Sequence, residues 1–359
     1  MELKNKIIAK APARICLFGD HQDYLGLPVI ACAINKYMTI DGEFNSDFLL
    51  HFNLNDLKKI ISININEDLK VIKKGDHIRA VIKTLRAFGC YINLGMDINI
   101  HSDIYINAGI SSSSALTVCL VNFFIKAFGI NRTVNNELIA EIAYKSEVIE
   151  QGGSGGKMDQ YSIALGNTIF LETGSRFSYK VIDIGFDSFI IANSGIEKNT
   201  DGVLKELKYK AIGAIRKVQK INSKFDILKC TNEEVESYSG LLDNESFTYF
   251  KAAVENHHIT LKALKEIENS KTNIRLLGEL MNSHHSILKN KLKITVPVID
   301  KMIDAANLAG AYGSKIIGSG CGGSIVVVSN IKNEKKIMKS ILNAGAIDVS
   351  KVKISKGIF

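Results

Sequence analysis

The sequence predicts an α+β protein built from two parts. Its predicted strands and helices are mixed without the regular strand–helix–strand order of a doubly wound parallel sheet. The balance of strands changes near residue 180, and the second half becomes rich in helices. A length of 359 residues suits two domains or one large α/β domain. We therefore predict an α+β fold with two domains, residues 1–180 and 181–359.

In the first half, residues 28–34 and 168–173 are predicted to be strands. Residues 77–89 have the apolar spacing of an amphipathic helix that ends at a glycine. Residues 111–128 and 134–150 are predicted to form two further helices.

The second half begins with an apolar strand, predicted at residues 189–194. A β-branched run at residues 324–329 predicts another strand. Helices are predicted at residues 203–221, 248–266, 274–291, 296–308 and 334–342.

The composition is that of a globular protein with a full core, at 46% hydrophobic and 23% charged residues. The formal net charge is +8, but the lysines are spread along the chain and are not clustered in an aromatic-lined strip. This distribution argues against a nucleic-acid partner. It fits a mild preference for anionic ligands, such as a substrate that carries phosphate.

The six cysteines are isolated and form no Cys-x-x-Cys pair, which indicates buried thiols in a reducing compartment. The first residues lack the apolar core of a signal peptide. The apolar stretch at residues 115–128 contains Asn122 and Lys126 and is too short to span a bilayer. We therefore expect a cytoplasmic protein without a membrane partner.

A Gly/Ser-rich segment, residues 106–115, leads directly into the predicted helix at 111–128. The start of a helix has unpaired backbone N–H groups and a partial positive charge. Small side chains would let a phosphate approach these groups, and serine hydroxyls add donors or a magnesium ligand. The alternative is that the serines only cap the helix, although four serines exceed what one cap needs.

Two other glycine-rich segments are less informative. Residues 152–158 resemble a Walker A loop but fail its pattern, because Gln151 replaces the first glycine and Met158 replaces Ser or Thr. Residues 318–323 fit G-x-G-x-x-G but precede a strand, so they are not a dinucleotide fingerprint. They are either a tight turn or a place where a ligand approaches the backbone.

A polar cluster surrounds a short apolar run at residues 14–24. Arg14 follows the start of a strand, and Asp20, His21 and Asp23 lie just past its end. Each residue alone could belong to a polar turn. Together they predict a site for a sugar or another small polar ligand.

Two carboxylates are candidates for chemistry. Asp159 follows the glycine run, where the backbone could bring it next to a substrate hydroxyl, and Glu147 lies late in a predicted helix. A carboxylate and a serine hydroxyl are a usual sparse protein ligand set for magnesium. The pairs His257-His258 and His284-His285 are expected to be structural, because adjacent histidines point to different faces of a helix.

Together these segments resemble the GHMP kinases, the superfamily of galactokinase, homoserine kinase, mevalonate kinase and phosphomevalonate kinase, and they look most like galactokinases. The matches span residues 11–324 in one order. Residues 14–24 match R-x-N-L-I-G-E-H-x-D-Y, 107–114 match G-x-G-L-S-S-S-A, 146–160 match A-E-H…C-G-I-M-D-Q, 283–286 match S-H-x-S and 315–323 match K-x-x-G-x-G-x-G-G.

The resemblance implies the two-domain GHMP kinase fold, with an N-terminal domain of a ribosomal-protein type, a ferredoxin-like C-terminal domain and an active site in the cleft between them. It implies ATP- and Mg²⁺-dependent phosphorylation of a monosaccharide at its anomeric hydroxyl, by a monomer or homodimer. By position, Asp159 would be the catalytic carboxylate, and Arg14 would stabilise its ionised form or the developing charge. Ser113 and Glu147 would hold Mg²⁺.

The remaining roles also follow only from the resemblance. The sugar pocket would be lined by Asp20, His21, Asp23 and Gly156. The ATP phosphates would be wrapped by a loop from the first half and approached by glycines from the second: Ala108, Gly109, Ile110, Ser111, Ser112 and Ser113, with Gly318 and Gly320.

The sequence departs from galactokinases on the substrate side. Asp20 stands in place of a Glu, Asn107 in place of a glycine and Lys157 in place of an Ile. The segment after residue 193 lacks the pattern H…Y-x-x-R-R, and Lys198 stands for its His. The motifs therefore support a kinase more strongly than they support galactose as the substrate.

Three alternatives remain open. The acceptor could be another hexose, an amino sugar or a deoxy sugar, or it could be mevalonate. The chain could also be a sugar sensor that binds ATP and sugar without turnover. The retained Arg14, Glu147 and Asp159 argue against a sensor.

Overall fold

A computed structural model describes residues 6–197 and 200–359. Within these residues, the chain forms a seven-stranded sheet, a four-stranded sheet and ten α-helices. The first sheet uses strands from the first half of the chain, and the second sheet uses strands from the second half. The strand set changes between residues 182 and 188, close to the predicted division at 180.

The long strand β2 organises the first sheet. Its start pairs with β6, its end pairs with β5, and β1 pairs along its other edge. The strand order is β4-β3-β5-β2-β6-β7, and all pairs are antiparallel except β3 with β5. The strands are β1 (Ile7–Phe18), β2 (Val29–Phe44), β3 (Leu49–Leu54), β4 (Lys59–Asn64), β5 (Met96–Ser102), β6 (Thr168–Glu172) and β7 (Ser178–Ile182).

Helix α2 (Ser112–Phe128) packs on β1 and β2 and closes the first core. Phe123 and Phe124 are fully buried, and the Cys119 thiol donates to the Ala9 carbonyl oxygen at 3.4 Å. This burial explains why the helix is apolar on most sides. The other helices here are α1 (His77–Ala87), α3 (Asn136–Tyr144), which continues into a π-helical turn at Lys145–Ile149, and α4 (Met158–Leu165).

The second sheet is antiparallel with the order β11-β8-β10-β9. Its strands are β8 (Ser188–Asn193), β9 (Ala311–Ile316), β10 (Ser324–Ser329) and β11 (Asp348–Lys353). Its helices are α5 (Thr200–Ile221), α6 (Asn232–Ser237), α7 (Asn244–Ile267), α8 (Ile274–Asn290), α9 (Pro297–Leu308) and α10 (Glu334–Asn343).

The predicted helices and strands are confirmed, and most bounds shift by a few residues. The strand predicted at residues 28–34 continues ten residues further, to Phe44, where it pairs with β1 and β5. The last residues of the chain return to the first sheet: Ile354 bridges to Ile34, and Lys10 and Phe359 exchange backbone hydrogen bonds of 2.9 and 3.2 Å. The segment 354–359 therefore packs with the first half, although it follows the strands of the second in sequence.

The cysteines lie mainly in the cores. Five are buried free thiols, as predicted: Cys16, Cys32, Cys90, Cys119 and Cys230. Cys321 is half-buried instead, because it lies in the glycine turn at residues 318–323. Among the described residues, none of the helices combines the length and apolar character needed to cross a membrane.

Candidate active site

A cleft of about 490 Å³ brings together residues from several separated segments of the chain. The end of β1, the serine loop, the turn after α3, the start of α4 and the glycine turn after β9 all contribute to its walls. The residues predicted from the sequence that line it are Arg14, Asp20, His21, Asp23, Ser113, Glu147, Gly156, Asp159 and Gly318.

At the centre of the cleft, Arg14 and Asp159 form a bidentate ion pair. The guanidinium Nε and Nη2 each donate to one carboxylate oxygen at 2.8 Å. The Arg14 side chain is only 5% exposed. Burial alone would lower its pKa, but the charge of Asp159 outweighs this and holds the pKa above its usual value. The guanidinium therefore stays charged, and its Nη1 also donates to the Gly109 carbonyl at 2.9 Å.

The serine loop contacts the same carboxylate. Ser111 Oγ donates to Asp159 Oδ2 at 2.5 Å, and Ser114 Oγ lies 3.4 Å from that oxygen. Ser111 is the residue before α2, with a left-handed backbone (φ 59°), and its side chain makes no capping bond. The serines are therefore not simple caps, because two of them hold the carboxylate in place.

The start of α2 keeps its capacity to bind an anion. The first backbone bond of this segment runs from the Ala115 N–H to the Ser111 carbonyl, so the N–H groups of residues 112–114 precede it. Ser113 is exposed and lines the cleft, and Ser112 is half-buried. The Ile110 side chain is fully buried in the core, so only its backbone could face a ligand.

Ala108, also predicted for the ATP site, is buried, and the neighbouring Gly109 adopts a positive φ of 84°. At Gly109, that backbone angle favours glycine. The loop therefore faces the cleft through the Ser113 side chain and its own backbone. Arg14, which lies in β1, connects the loop to the cleft by its hydrogen bond to the Gly109 carbonyl.

Glu147 lies in the π-helical turn and faces the cleft together with Ser113. The Gln160 amide donates to Glu147 Oε2 at 2.6 Å and orients the carboxylate. A carboxylate and an exposed hydroxyl in one cleft are hard oxygen ligands, which suits Mg²⁺ with nucleotide and water oxygens completing its shell. The donor chemistry of this pair therefore fits the predicted metal.

At the opposite side of Asp159, the segment after β1 presents His21, Asp23 and Tyr24. His21 Nδ1 lies 3.0 Å from the Tyr24 hydroxyl. Asp23 accepts hydrogen bonds from the backbone N–H of Tyr24 at 2.9 Å and of Met158 at 3.4 Å. Burial, and then the charge of Asp159, raise the pKa of Asp23 to about 6.

Gly156 is glycine because Asp23 lies against it. A Cβ atom on Gly156 would come within 2.2 Å of Asp23 Oδ2. The neighbouring Gly155 has room for a side chain, since its nearest atom is a Val148 methyl carbon at 3.9 Å. The absence of a side chain at Gly156 therefore sets the position of the Asp23 carboxylate.

Asp20 has different surroundings from those expected of a residue that lines a sugar pocket. It is 1% exposed, its Oδ2 lies 2.5 Å from Lys315 Nζ, and its Oδ1 accepts from the Gly318 N–H at 2.9 Å. Burial alone would raise its pKa, but the charge and hydrogen bond of Lys315, together with the neighbouring histidines, outweigh this and lower the pKa to about 2. The ionised carboxylate thus connects β1 to the glycine turn.

The glycine turn at residues 318–323 needs its glycines, because residues 318 and 320–323 all have positive φ angles. Gly318 and Ser319 line the cleft. Gly320 packs on the protein instead: a Cβ atom there would meet Ile294 at 2.6 Å. Only the first part of the turn therefore faces the cleft.

Of the substrate-side departures, Asn107 lines the cleft. The ammonium of Lys157 lies over the aromatic rings of Phe177 and Tyr144, at 4.5 and 5.8 Å from their centroids. Lys198 falls outside the described residues.

The histidine pairs are packed into the protein, as predicted. His258 contacts the Cys230 carbonyl at 2.7 Å, and His284 is buried against Phe18 with ring centroids 6.3 Å apart. Burial, and then Lys315, lower the pKa of His284 to about 3, so its ring is neutral. Among the described residues, no group of three or more His, Cys, Asp or Glu is placed to hold a metal ion.

Sequence reasoning did not assign a role to Lys315, Ser114 or Gln151. Lys315 contacts Asp20, Ser114 contacts Asp159, and Gln151 lines the cleft and accepts from the Gly75 N–H at 2.8 Å. The motif K-x-x-G-x-G-x-G-G marked Lys315 only as a motif position, and its burial between Ser314 and Ile316 depends on the folded structure.

A half-buried carboxylate that is bound by an arginine and by serines at a helix start is an arrangement that suits phosphoryl transfer to a small molecule. Three family models match the chain: GHMP kinases N terminal domain at residues 76–167, GHMP kinases C terminal at 260–347, and the galactokinase galactose-binding signature at 2–41. The chain belongs to the GHMP kinase superfamily and is a galactokinase-like phosphotransferase. ATP is the phosphoryl donor of this family.

Individual relatives include both sugar and mevalonate kinases. A galactokinase of Clostridium acetobutylicum is 28% identical over 89% of this chain and 84% of its own length. A mevalonate kinase of Thermococcus gammatolerans is 26% identical over 95% and 94%. The crystal structure of Lactococcus lactis galactokinase complexed with galactose shares the fold, with a TM-score of 0.89, 22% identity, and coverage of 99% of this chain and 95% of that chain. The predicted α+β GHMP kinase fold is confirmed.

Proposed function

We propose that this protein transfers the γ-phosphoryl group of ATP to the anomeric hydroxyl of a monosaccharide, with galactose as the first candidate. The observation that carries the proposal is the position of Asp159. Arg14 and Ser111 hold its carboxylate between the pocket of His21 and Asp23 and the start of α2. The galactose-binding signature covers His21 and Asp23, which supports a sugar in that pocket.

In this mechanism, Asp159 accepts the hydrogen bond of the sugar hydroxyl and orients its oxygen toward the γ-phosphorus. A bond forms between that oxygen and the phosphorus, the bond to the β,γ-bridging oxygen breaks, and ADP leaves. The proton of the hydroxyl passes to Asp159 and then to solvent. Arg14 keeps Asp159 ionised and in place, which is the positioning on which phosphoryl transfer mainly depends.

The phosphates would lie between two backbone segments. The N–H groups of residues 112–114 would face them from the start of α2, and the turn at Gly318 and Ser319 would approach from the second half. Ser113 and Glu147 would hold Mg²⁺, which neutralises charge on the β- and γ-phosphates when bound.

A second candidate acceptor is mevalonate. The observation that favours it is the identity of 26% to a mevalonate kinase over 95% of this chain, close to the 28% identity to a galactokinase. The same arrangement of Arg14, Asp159 and the serine loop would serve a primary alcohol equally well. The buried free thiols support a reducing, cytoplasmic location in either case.

The deciding experiment measures ADP release with Mg-ATP over a panel of acceptors: galactose, other hexoses, amino and deoxy sugars, and mevalonate. Asp159→Asn serves as the blank. Turnover of a sugar that the blank lacks supports the proposal, and the product's phosphate position is then read by NMR. Turnover of mevalonate alone would replace the sugar proposal. Binding of sugar and ATP without turnover of any acceptor would identify a sensor.

A further inference from the structure

We propose that Asp20 and Lys315 form a positioning pair which holds the glycine turn against the phosphate side of the cleft, and that Asp20 does not bind the acceptor itself. This inference rests on the proposed kinase function. It reassigns a residue that the sequence places in the sugar pocket, and it gives a role to a lysine outside that pocket.

The pair connects two distant parts of the chain. Asp20 follows the end of β1. Lys315 lies in β9, three residues before Gly318, where the glycine turn begins. The ammonium of Lys315 donates to Asp20 Oδ2 at 2.5 Å and to the Cys16 carbonyl at 3.0 Å. The other oxygen of Asp20 accepts from the Gly318 N–H at 2.9 Å. One carboxylate therefore holds both the strand and the turn that follows it.

Burial makes this arrangement hard to rearrange. The side chains of Lys315 and Asp20 are 0% and 1% exposed. If Asp20 turned toward an acceptor hydroxyl, it would leave the ammonium of Lys315 buried without its counter-charge. Separating such a pair is strongly unfavourable, because neither ion can recover its hydration inside the protein.

The acceptor pocket has other polar groups that need no such rearrangement. Asp23 and His21 line the cleft, and Gly156 leaves space in which Asp23 sits. Asp20 contributes to the wall of the same cleft, but both of its oxygens already have partners within hydrogen-bond distance. The geometry therefore separates acceptor recognition by Asp23 and His21 from positioning by Asp20.

The function of the pair follows from what it holds. Gly318 and Ser319 are the residues of the turn that line the cleft, and Gly318 is the one bound to Asp20. Loss of either partner should let the turn move away from the phosphates. Nucleotide binding and the rate of transfer should then fall, whereas the acceptor, held by Asp23 and His21, should bind almost as before.

The experiment compares Asp20→Asn, Lys315→Met and the double variant with the wild type. Lys301→Met, at an exposed position of α9, is the matched control. Affinity for ADP is measured with a fluorescent ADP analogue, affinity for galactose by calorimetry, and KM for each substrate by ADP release. Each single variant should weaken ADP binding by about tenfold, and the double variant should be no weaker than the worse single variant, as expected for residues that act as a unit. Galactose affinity should change less than about twofold, within the error of independent sites.

The opposite pattern overturns the proposal. A direct acceptor role for Asp20 would weaken galactose binding in Asp20→Asn and leave ADP binding at the wild-type value, with Lys315→Met showing neither effect. Additive losses in the double variant would also refute a shared role. Should Lys315→Met not fold, Lys315→Arg keeps the charge in a bulkier group and should still weaken ADP binding selectively.

The binding measurements keep this test separate from that of the proposed function. If the wild type turns over no acceptor, the kinase proposal fails, but ADP affinity still reports on the pair. If turnover is normal and ADP affinity is unchanged in both single variants, the positioning role fails and the kinase proposal stands.

Discussion

Arg14 and Asp159 lie 145 residues apart in the chain, yet they meet through two parallel hydrogen bonds of 2.8 Å at the centre of the cleft. The fork of a guanidinium matches a carboxylate in this way and fixes both its orientation and its charge. Because Arg14 also binds the Gly109 carbonyl, the same side chain ties the carboxylate to the loop that would hold the phosphates. The two side chains that we propose act in the transfer are thus positioned before any ligand binds.

Replacing Asp159 by Asn should remove turnover but not acceptor binding. The amide keeps the size of the side chain, but it cannot take the proton of the hydroxyl or balance the buried charge of Arg14. We expect kcat to fall by about a thousandfold, within the range for a general base. The measurement is ADP release at saturating acceptor, with acceptor affinity measured separately by calorimetry. Asp304→Asn, on the exposed side of α9, is the control and should behave as the wild type. Near-normal turnover in Asp159→Asn would remove this residue from the catalytic role.

Gly156→Ala should raise the acceptor KM, because the new methyl group would overlap the Asp23 carboxylate. Asp23 would have to move, so acceptor affinity should fall by about tenfold or more, as when a site is displaced by an ångström. The KM for ATP should change little. Gly155→Ala is a matched control, since its methyl group meets only a Val148 carbon at 3.9 Å. Equal effects of the two substitutions would show that Asp23 does not define the acceptor pocket.

Asp23→Asn should change how stability depends on pH. The pKa of Asp23 is about 6 in the folded protein, above its usual value of 3.8. Between these values the folded state binds more protons than the unfolded state, so this residue makes stability fall as the pH rises through that window. The variant lacks this loss. Its melting temperature relative to the wild type should therefore rise from pH about 4 to about 6 and then stay constant. A constant difference across that range would mean that Asp23 titrates normally.

His284→Phe should reduce the loss of stability that the wild type shows as the pH falls. The pKa of His284 is about 3 in the folded protein against 6.5 for the free side chain, so the unfolded state binds the extra proton between these values. This makes the wild type lose stability as the pH falls below about 6.5. Phenylalanine can stack on Phe18 without titrating, and it should flatten the slope by up to about 1.4 kcal/mol per pH unit. Urea unfolding at a series of pH values measures the slope. An unchanged slope in His284→Phe would show that this ring titrates normally.

Elements with strong local signals were predictable from the sequence. Helix α2 follows a loop of small residues and ends at Gly129, so its bounds agree with the prediction within one residue. Strands β3 and β4 were not predicted. Ile60 in β4 is 72% exposed, so the alternation of buried and exposed residues that marks a strand is blurred there. Strands β3 and β4 pair with each other, and only β3 joins them to the rest of the sheet, through β5 more than thirty residues later in sequence.

In the candidate site, too, local motifs were predictable from the sequence and long-range contacts were not. The motif residues Arg14, Asp159 and Glu147 were identified from their sequence context, and the cleft brings them together. The partner of Asp20 was not identified, because Lys315 is 295 residues away and a lysine in a strand is normally solvated. Likewise, the sequence could not show that Ser111 turns from capping α2 to binding Asp159, since this depends on where α4 packs.

Because the last residues return to the first sheet, the first half is formed by both ends of the chain, whereas the second half is formed by one continuous segment. Asp187 and Ile354, where the chain enters and leaves the second sheet, are joined by a backbone hydrogen bond of 2.9 Å. The chain thus leaves the first sheet and returns to it at neighbouring points, and the core of the first half also includes Leu277, Met281 and Val326 of the second. The first half cannot be obtained by truncation near residue 182, because its strand edge at Ile34 and Gly166 would lose the segment that covers it. A peptide of residues 354–359 supplied in trans would have to complete it.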